Sequence, residues 1–494
     1  MEKVYRINPK DNVAVALCPL KAGESIGTES GAAVLRSDVT PGHKVALRTI
    51  AKGEDIVKYG FPIGTAAEEI PAGTWVHTHN TATKLGDLLE YAYHPDFCPL
   101  KPQKPEIFLG YRRKDGRAGT RNEVWIIPTV GCVNSIAKQI EDECQKFLTP
   151  ELDGIFSYSH PYGCSQLSQD LRNTQLALCG LITHPNAGGV LVLGLGCENN
   201  NIDELKKVLG PYDENRVKFL VCQEQEDEVS AAVAEVEKLC RYASQFHREP
   251  CSAELLTVGL KCGGSDGFSG ITANPLVGEF SDRLIAQGGT TILTEVPEMF
   301  GAETLLMNRC RSKEVFDKTV LLINNFKQYF MDYHQKIDSN PSPGNKAGGI
   351  TTLEDKSLGC VQKGGTAPVS DVLTYGQPVT EKGLNLLQGP GNDLVASTAL
   401  AVSGAQIILF TTGRGTPFGC PVPTVKISSN SMLARKKANW IDFDAGCLLS
   451  GTSMQDLSRE FFRYVLDVAS GRKTAKSESL DKRNLAIFKN GVTL

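Results

Sequence analysis

Apolar and polar positions alternate with two different periods along this chain, and the change of period divides it. Up to residue 95 short apolar runs sit between glycine-centred turns, as in "NVAVAL", "AAVL", "HKVALRTI", "DIVKYG" and "TWVHTH". Runs of that length and spacing predict a small all-β unit. The stretch that follows, "HPDFCPLKPQKPEIFLGY", holds four prolines in eighteen residues. It predicts a stiff, extended connection and sets the first boundary near residue 98.

From about residue 120 apolar strands alternate with helical stretches. The spacing predicts strands at 123–130, 153–158, 189–195 and 217–222, with helices at 133–147, 168–183, 201–209 and 226–244. Such a βαβα series builds a parallel sheet covered by helices. A second linker-like stretch, "QFHREPCSAE", closes this region near residue 250. Beyond it "LLTVGL", "TTILTEV", "LNLL", "AQIILFTTG" and "PTVKISS" read as strands, with helices near 274–287, 311–333, 393–402 and 453–470. The expected architecture is therefore α/β and multidomain: a β domain over 1–98, a Rossmann-like α/β domain over 99–250 and a C-terminal α/β domain over 251–494.

Composition narrows the functional classes. A net charge of −4 with 22% charged residues leaves no basic face for nucleic acid. The chain starts polar and no apolar run reaches 18 residues, so neither membrane spanning nor export is expected, and the cytoplasm is the expected compartment. The 15 cysteines are scattered without a C-x-x-C pair, which predicts free thiols and no structural zinc.

Ligands of parallel sheets bind beyond the carboxyl ends of strands. There "TVGCVN", "PYGCSQ" and "GLGCENNN" each place a cysteine after a glycine: Cys132, Cys164 and Cys197. These are either tight turns with small packing residues or three thiols brought together. In "GLGCENNN", Glu198 and Asn199 offer oxygens and amides that an ordinary turn does not need. "VHTHN" puts His77 and His79 on one face of a strand, where both imidazoles could bind one metal ion or simply be solvated. In "SHPYGC", His160 reads as a turn residue, a metal ligand or a proton carrier.

The C-terminal loops are dense in Gly, Pro, Asn and Thr. In "KCGGSDGFSG", Gly263, Gly264 and Ser265 can converge backbone N–H groups on an anion. Asp266 would repel that anion unless a metal ion or proton lies between. The loop matches neither nucleotide fingerprint, so no nucleotide is expected. "TEVPEMFGAE" sets Glu295 and Glu298 after a strand, as metal or acid–base carboxylates or as a helix first turn. "NPSPGNKAGG" holds Asn345 and Lys346 on a stiffened loop, and "TTGRGTPFG" holds Arg414 ready for a carboxylate.

"GHKVAL", "IVKYGFPIG" and "GTWVHTHN" resemble the β-clip SAF domain. "GLGCEN", "CGGSDGFSGITANP", "NPSPGNKAGGI", "LEDKSLGC" and "TTGRGTP" resemble the large C-terminal region of the altronate and galactarate dehydratases, and the paired histidines are similar to the altronate branch. The resemblance implies a hydro-lyase of hexuronate breakdown that converts altronate to 2-dehydro-3-deoxy-D-gluconate and water with Fe²⁺ or Mn²⁺. Removing a weakly acidic proton beside a carboxylate requires charge stabilisation, a base for the C2 proton and an acid for the C3 hydroxyl. Chemistry and motif position suggest His77, His79 and Glu198 for the metal. They also suggest Arg414 and Gly263–Asp266, with Asn199 and Asn345, for a sugar acid, Lys346 or His160 as base, and Glu295 as acid. The alternatives are a galactarate or other aldarate dehydratase, and an iron–sulfur hydro-lyase built on Cys132, Cys164 and Cys197. A sheet-based kinase or dehydrogenase and a non-catalytic sugar-acid sensor are further rivals. A homodimer could close the site, although no residue demonstrates it.

Overall fold

The computed structural model describes residues 3–28, 31–86 and 88–491. The N-terminal domain is all β. Strands Val4–Tyr5, Val13–Ala16, Lys44–Ala46 and Trp75–Val76 form one antiparallel sheet in that order. Asp55–Lys58, Phe61–Ala66 and Thr81–Ala82 form a second sheet, and Ser25–Thr28 pairs with Gly31–Val34 in a hairpin. Alternation sends successive side chains to opposite faces. Ala14, Ala16 and Val45 enter the domain's own small core, while Val13, Ala46, Ile56 and Val76 pack into the main core of the C-terminal domain. The domain is thus docked by its apolar back.

The proline-rich connection is extended, as expected, and it is laid on the C-terminal domain. Tyr91 Oη donates to Glu303 at 2.6 Å, Tyr93 Oη donates to the Cys310 carbonyl at 2.7 Å, and Asp96 N donates to the Asn308 carbonyl at 2.8 Å. One correction concerns the two linker-like stretches. Ile107–Arg112 and Glu249–Ser252 are strands that pair antiparallel, Phe108 opposite Cys251, and Ala118–Gly119 adds a third. Buried Phe108 and Cys251 anchor the pair, and Pro250, which lacks an N–H, is tolerated at its edge.

The middle domain carries β1 (Glu123–Pro128), β2 (Gly154–Ser157), β3 (Ala187–Gly194) and β4 (Val217–Val221), all parallel, in the order β2-β1-β3-β4. Helices α1 (Asn134–Cys144), α2 (Ser168–Ile182), α3 (Ile202–Leu209) and α4 (Glu228–Ala243) follow the strands in turn. Val124 and Ile126 face α1 and α4, whereas Trp125 and Ile127 face α2 and share a core with the C-terminal domain.

The C-terminal domain has seven parallel strands: β5 (Thr257–Cys262), β6 (Thr290–Leu293), β7 (Val369–Leu373), β8 (Gly383–Leu387), β9 (Ile407–Thr412), β10 (Thr424–Ser428) and β11 (Phe443–Asp444). Their order is β7-β8-β6-β5-β9-β10-β11. Five of the strands were legible in the sequence; β7 and two-residue β11 were not. Helices α5 (Ala273–Ala286), α6 (Lys313–Asp332), α8 (Asp393–Val402) and α9 (Met454–Ala469) lie where the periodicity puts them. Helix α7 (Leu353–Cys360) was unexpected. All eight of its residues are buried, including Glu354, Asp355 and Lys356, so it has no solvent face and no amphipathic signature. Among the described residues no helix is long and apolar enough to cross a membrane.

Candidate active site

Strand β5 ends at Cys262 and turns through Gly263–Gly267. A Cβ on Gly263 would stand 2.5 Å from the Phe410 ring and 2.7 Å from the Asp393 carboxylate, so only glycine fits. Gly264 takes a φ of +64°, which glycine adopts without strain. Ser265 is 2% exposed, its Oγ has no hydrogen-bond partner, and its carbonyl accepts from Asn345 Nδ2 at 2.9 Å. Asp266 is enclosed. It accepts from Ser269 N and Oγ, both at 3.0 Å, from Ser429 Oγ at 2.8 Å and from Asn430 Nδ2 at 3.1 Å. Burial raises its carboxyl pKa, and these donors oppose the rise. Asp266 therefore fastens the loop to the end of β10.

A one-turn helix, Pro343–Ala347, clamps the same loop. Ser342 caps it, Asn345 ties it to Ser265, and the Gly348 carbonyl accepts from Gly267 N at 2.7 Å. Half-buried Lys346 sits on this helix. Exposed Arg414, just beyond β9, lies over Gly344, with its Cδ 3.8 Å from where a Cβ would be. The result is a cleft of about 610 Å³ lined by Asp266, Arg414, Asn430, Arg435 and Lys436, with Leu17 and Pro41 of the N-terminal domain on its wall. Three cations around an opening of that size suit a small polyhydroxy acid. A larger groove, about 1020 Å³, runs along α3 in the middle domain, but Asp203, Glu204, Glu224 and Glu235 on its walls disfavour an anion.

The N-terminal domain brings a histidine cluster to the back of the clamp. His43 Nε2 donates to the Ala347 carbonyl at 3.3 Å, and its Nδ1 accepts from Trp75 Nε1 at 3.1 Å. His77 and His79 lie in the turn after strand Trp75–Val76 and not on a strand face as expected; His77 stacks on Trp75 at 5.3 Å and meets Thr351 Oγ1 through Nδ1 at 3.2 Å, while exposed His79 lies 5.0 Å from the same indole. Burial, with Lys44 and His43 nearby, holds His77 down to about 4. Lys44 and Lys58, both buried, grip Asp355 of α7 at 2.8 and 3.0 Å. Burial alone would push Asp355 up, but the two ammonium groups outweigh it and hold the carboxyl well below the usual range.

Beneath the glycine loop lies a second buried network. Lys261 pairs with Glu295 at 2.5 Å and with Asp393 at 2.9 Å, and Glu295, in the left-handed region at φ +69°, also accepts from Cys262 N. Burial and the neighbouring Glu298 carboxylate push Glu295 up, against Lys261. Lys356 pairs with Glu298 at 2.6 Å, and Lys363 donates to Cys262 Sγ at 3.1 Å. The hydrogen bond from Cys360, with Lys363 and Lys356, holds the Cys262 thiol down to about 6 despite burial. The ligand atoms of Cys262, Glu298 and Cys360 lie within 4.8 Å of one another. Two ammonium groups already balance them, so a cation would meet repulsion there.

The structure brings Gly263, Gly264, Ser265, Asp266, Asn345, Lys346 and Arg414 into one place, with Glu295 directly below. His160, Glu198 and Asn199 are elsewhere, at the strand ends of the middle domain. His160 is buried and spends both ring nitrogens, Nε2 on the Pro128 carbonyl at 2.8 Å and Nδ1 on Tyr162 N at 3.2 Å. Glu198 is buried on Thr129 Oγ1 and on Leu195 and Gly196 N–H, and Asn199 accepts from Ser165 N. Sequence reasoning missed Lys44, Lys58, Lys261 and Asp393. Lys44 and Lys261 had a legible signal, because each is a charge inside an otherwise apolar strand, where burial demands a partner.

Three family models match the chain in succession: the altronate/galactarate dehydratase SAF domain over residues 2–84, the D-galactarate dehydratase/altronate hydrolase second domain over 110–244, and the D-galactarate/altronate dehydratase C-terminal domain over 253–493. Altronate dehydratase of Escherichia coli is 54% identical, with 99% of each chain covered, and that of Bacillus subtilis is 52% identical, with 100% of each covered. Galactarate dehydratase (L-threo-forming) of Escherichia coli is 33% identical over 98% of this chain and 96% of its own length. This chain belongs to the altronate and galactarate dehydratase family.

Proposed function

We propose that the chain is a hydro-lyase that dehydrates D-altronate to 2-dehydro-3-deoxy-D-gluconate and water. The observation that carries this reading is identity above one half, end to end, with two altronate dehydratases, against 33% with a galactarate dehydratase. The cationic cleft supports it chemically. Arg414, helped by Arg435 and Lys436 on the cleft wall, would hold the substrate carboxylate. Lys346, on the helix that clamps the glycine loop, is the proposed base for the C2 proton. Glu295 is 1% exposed and cannot touch substrate, so any proton it supplies passes through Lys261 to Asp393, whose side chain is 35% exposed.

For Fe²⁺ or Mn²⁺ the proposed ligands are His77 and His79. His77 Nε2 has no hydrogen-bond partner among the described residues, while Thr351 fixes the ring through Nδ1, the arrangement a metal-binding imidazole uses. Glu198 cannot complete that set through its present bonds, which all stay within the middle domain. When bound, a divalent ion supplies charge stabilisation at the carboxylate and its adjacent hydroxyl. The test is manganese bound by His77→Ala/His79→Ala protein loaded with Mn²⁺, measured by elemental analysis beside turnover. Loss of metal and turnover together is expected; unchanged metal content removes the histidines as ligands.

A further inference from the structure

The three glycine–cysteine turns of the middle domain are not used by the reading above. β1, β2 and β3 are neighbours, with β1 in the centre, and Cys132, Cys164 and Cys197 follow their carboxyl ends. Hydrogen bonds lace the three turns in a closed triangle. Gly131 N donates to the Tyr162 carbonyl at 2.9 Å, joining the first turn to the second. Asn200 N donates to the Gly163 carbonyl at 2.9 Å, and Ser165 N to Asn199 Oδ1 at 2.8 Å, joining the second to the third. Thr129 Oγ1 donates to Glu198 at 2.5 Å, and Asn200 Nδ2 to the Thr129 carbonyl at 3.0 Å, joining the third to the first. Each cysteine is within three residues of a bond to each of the other two turns.

Exposure is the second observation. Cysteine is among the most buried residue types, and of the fifteen here only Cys98, Cys132, Cys164 and Cys197 are exposed. Three of the four therefore share one laced surface, all as free thiols. Gln223 Nε2 donates to Cys197 Sγ at 3.6 Å. The Glu198 carboxylate is turned inward onto its own turn, so it does not compete as a ligand. A cubane cluster takes three thiolates on three separate corners, one from each turn.

We propose that Cys132, Cys164 and Cys197 hold a [4Fe–4S] cluster by three thiolates, leaving one iron without a protein ligand and open to an oxygen donor. The proposal does not depend on the substrate: iron and sulfide are counted without it.

The experiment is anaerobic reconstitution of the full chain with ferric iron, sulfide and dithiothreitol, followed by desalting. Bound iron, acid-labile sulfide and absorption near the visible thiolate-to-iron band are then measured for wild type, Cys98→Ser, the three single Cys→Ser variants and the triple variant. Wild type and Cys98→Ser are expected to retain about four irons and four sulfides per chain, and the triple variant none. Thermal melting before reconstitution shows that each variant is folded. Iron without sulfide in the wild type overturns the proposal, as does sulfide retained by the triple variant or no retention by a folded wild type.

Discussion

Arg414 and Lys346 are the residues on which the proposed chemistry turns. A guanidinium held over a cleft binds a carboxylate through two charge-assisted hydrogen bonds, each worth about 1.5–3 kcal/mol. Arg414→Gln keeps one amide donor and loses the equivalent of one such bond, so it is expected to lower kcat/KM by about 10–100-fold, mostly through KM, in steady-state assays with altronate. Lys346→Met removes the proposed base while keeping the length of the side chain. It is expected to lower kcat by about 10²–10⁴-fold with KM little changed. Wild-type turnover in folded, metal-loaded Lys346→Met protein would take this lysine out of the mechanism. Both residues stood out because their surroundings are rich in glycine and proline; Arg414 lies in a loop, but Lys346, expected in one, sits on the helix Pro343–Ala347. The partners that position them did not stand out: nothing in the sequence says that Asn345 would tie to Ser265, or that Asp266 would be enclosed by β10.

At the scale of elements, α7 holds the N-terminal domain in place. Asp355 lies between Lys44 and Lys58 with none of the three exposed to any extent. Asp355→Asn leaves two buried ammonium groups unmatched and is expected to cost about 3–5 kcal/mol, read as a fall in the thermal midpoint. The pH dependence follows from the depressed carboxyl. Its stabilisation is complete above the ordinary aspartate value of about 3.9 and goes only as pH falls through the lower folded-state value. The gap between wild-type and Asp355→Asn midpoints should hold from pH 7 to about pH 4 and close below it. The same helix shows why periodicity has limits. Strands β1 and β3 are continuous apolar runs buried on both faces, and helices α1 to α4 are amphipathic, so their pattern reveals them. α7 is charged and wholly buried, β11 has only two residues, and the paired strands at 107–112 and 249–252 sit among prolines and polar residues, so their local signals point away from what packing imposes.

For the whole molecule, the order of domains was readable from changes of period, and their convergence was not. The cleft takes its floor from the β5 turn, its clamp from Pro343–Ala347, its cations from beyond β9 and β10, and part of its wall from Leu17 and Pro41 of the first domain. Those segments are far apart in sequence, and only tertiary contacts join them. The central claim is that this assembly eliminates water from altronate. The most direct measurement is NMR of the purified, metal-loaded protein with D-altronate or galactarate in D₂O. The account predicts 2-dehydro-3-deoxy-D-gluconate from altronate, deuterium at C3 and a rate with altronate well above that with galactarate. Faster conversion of galactarate, or no 2-oxo acid from either, would contradict it.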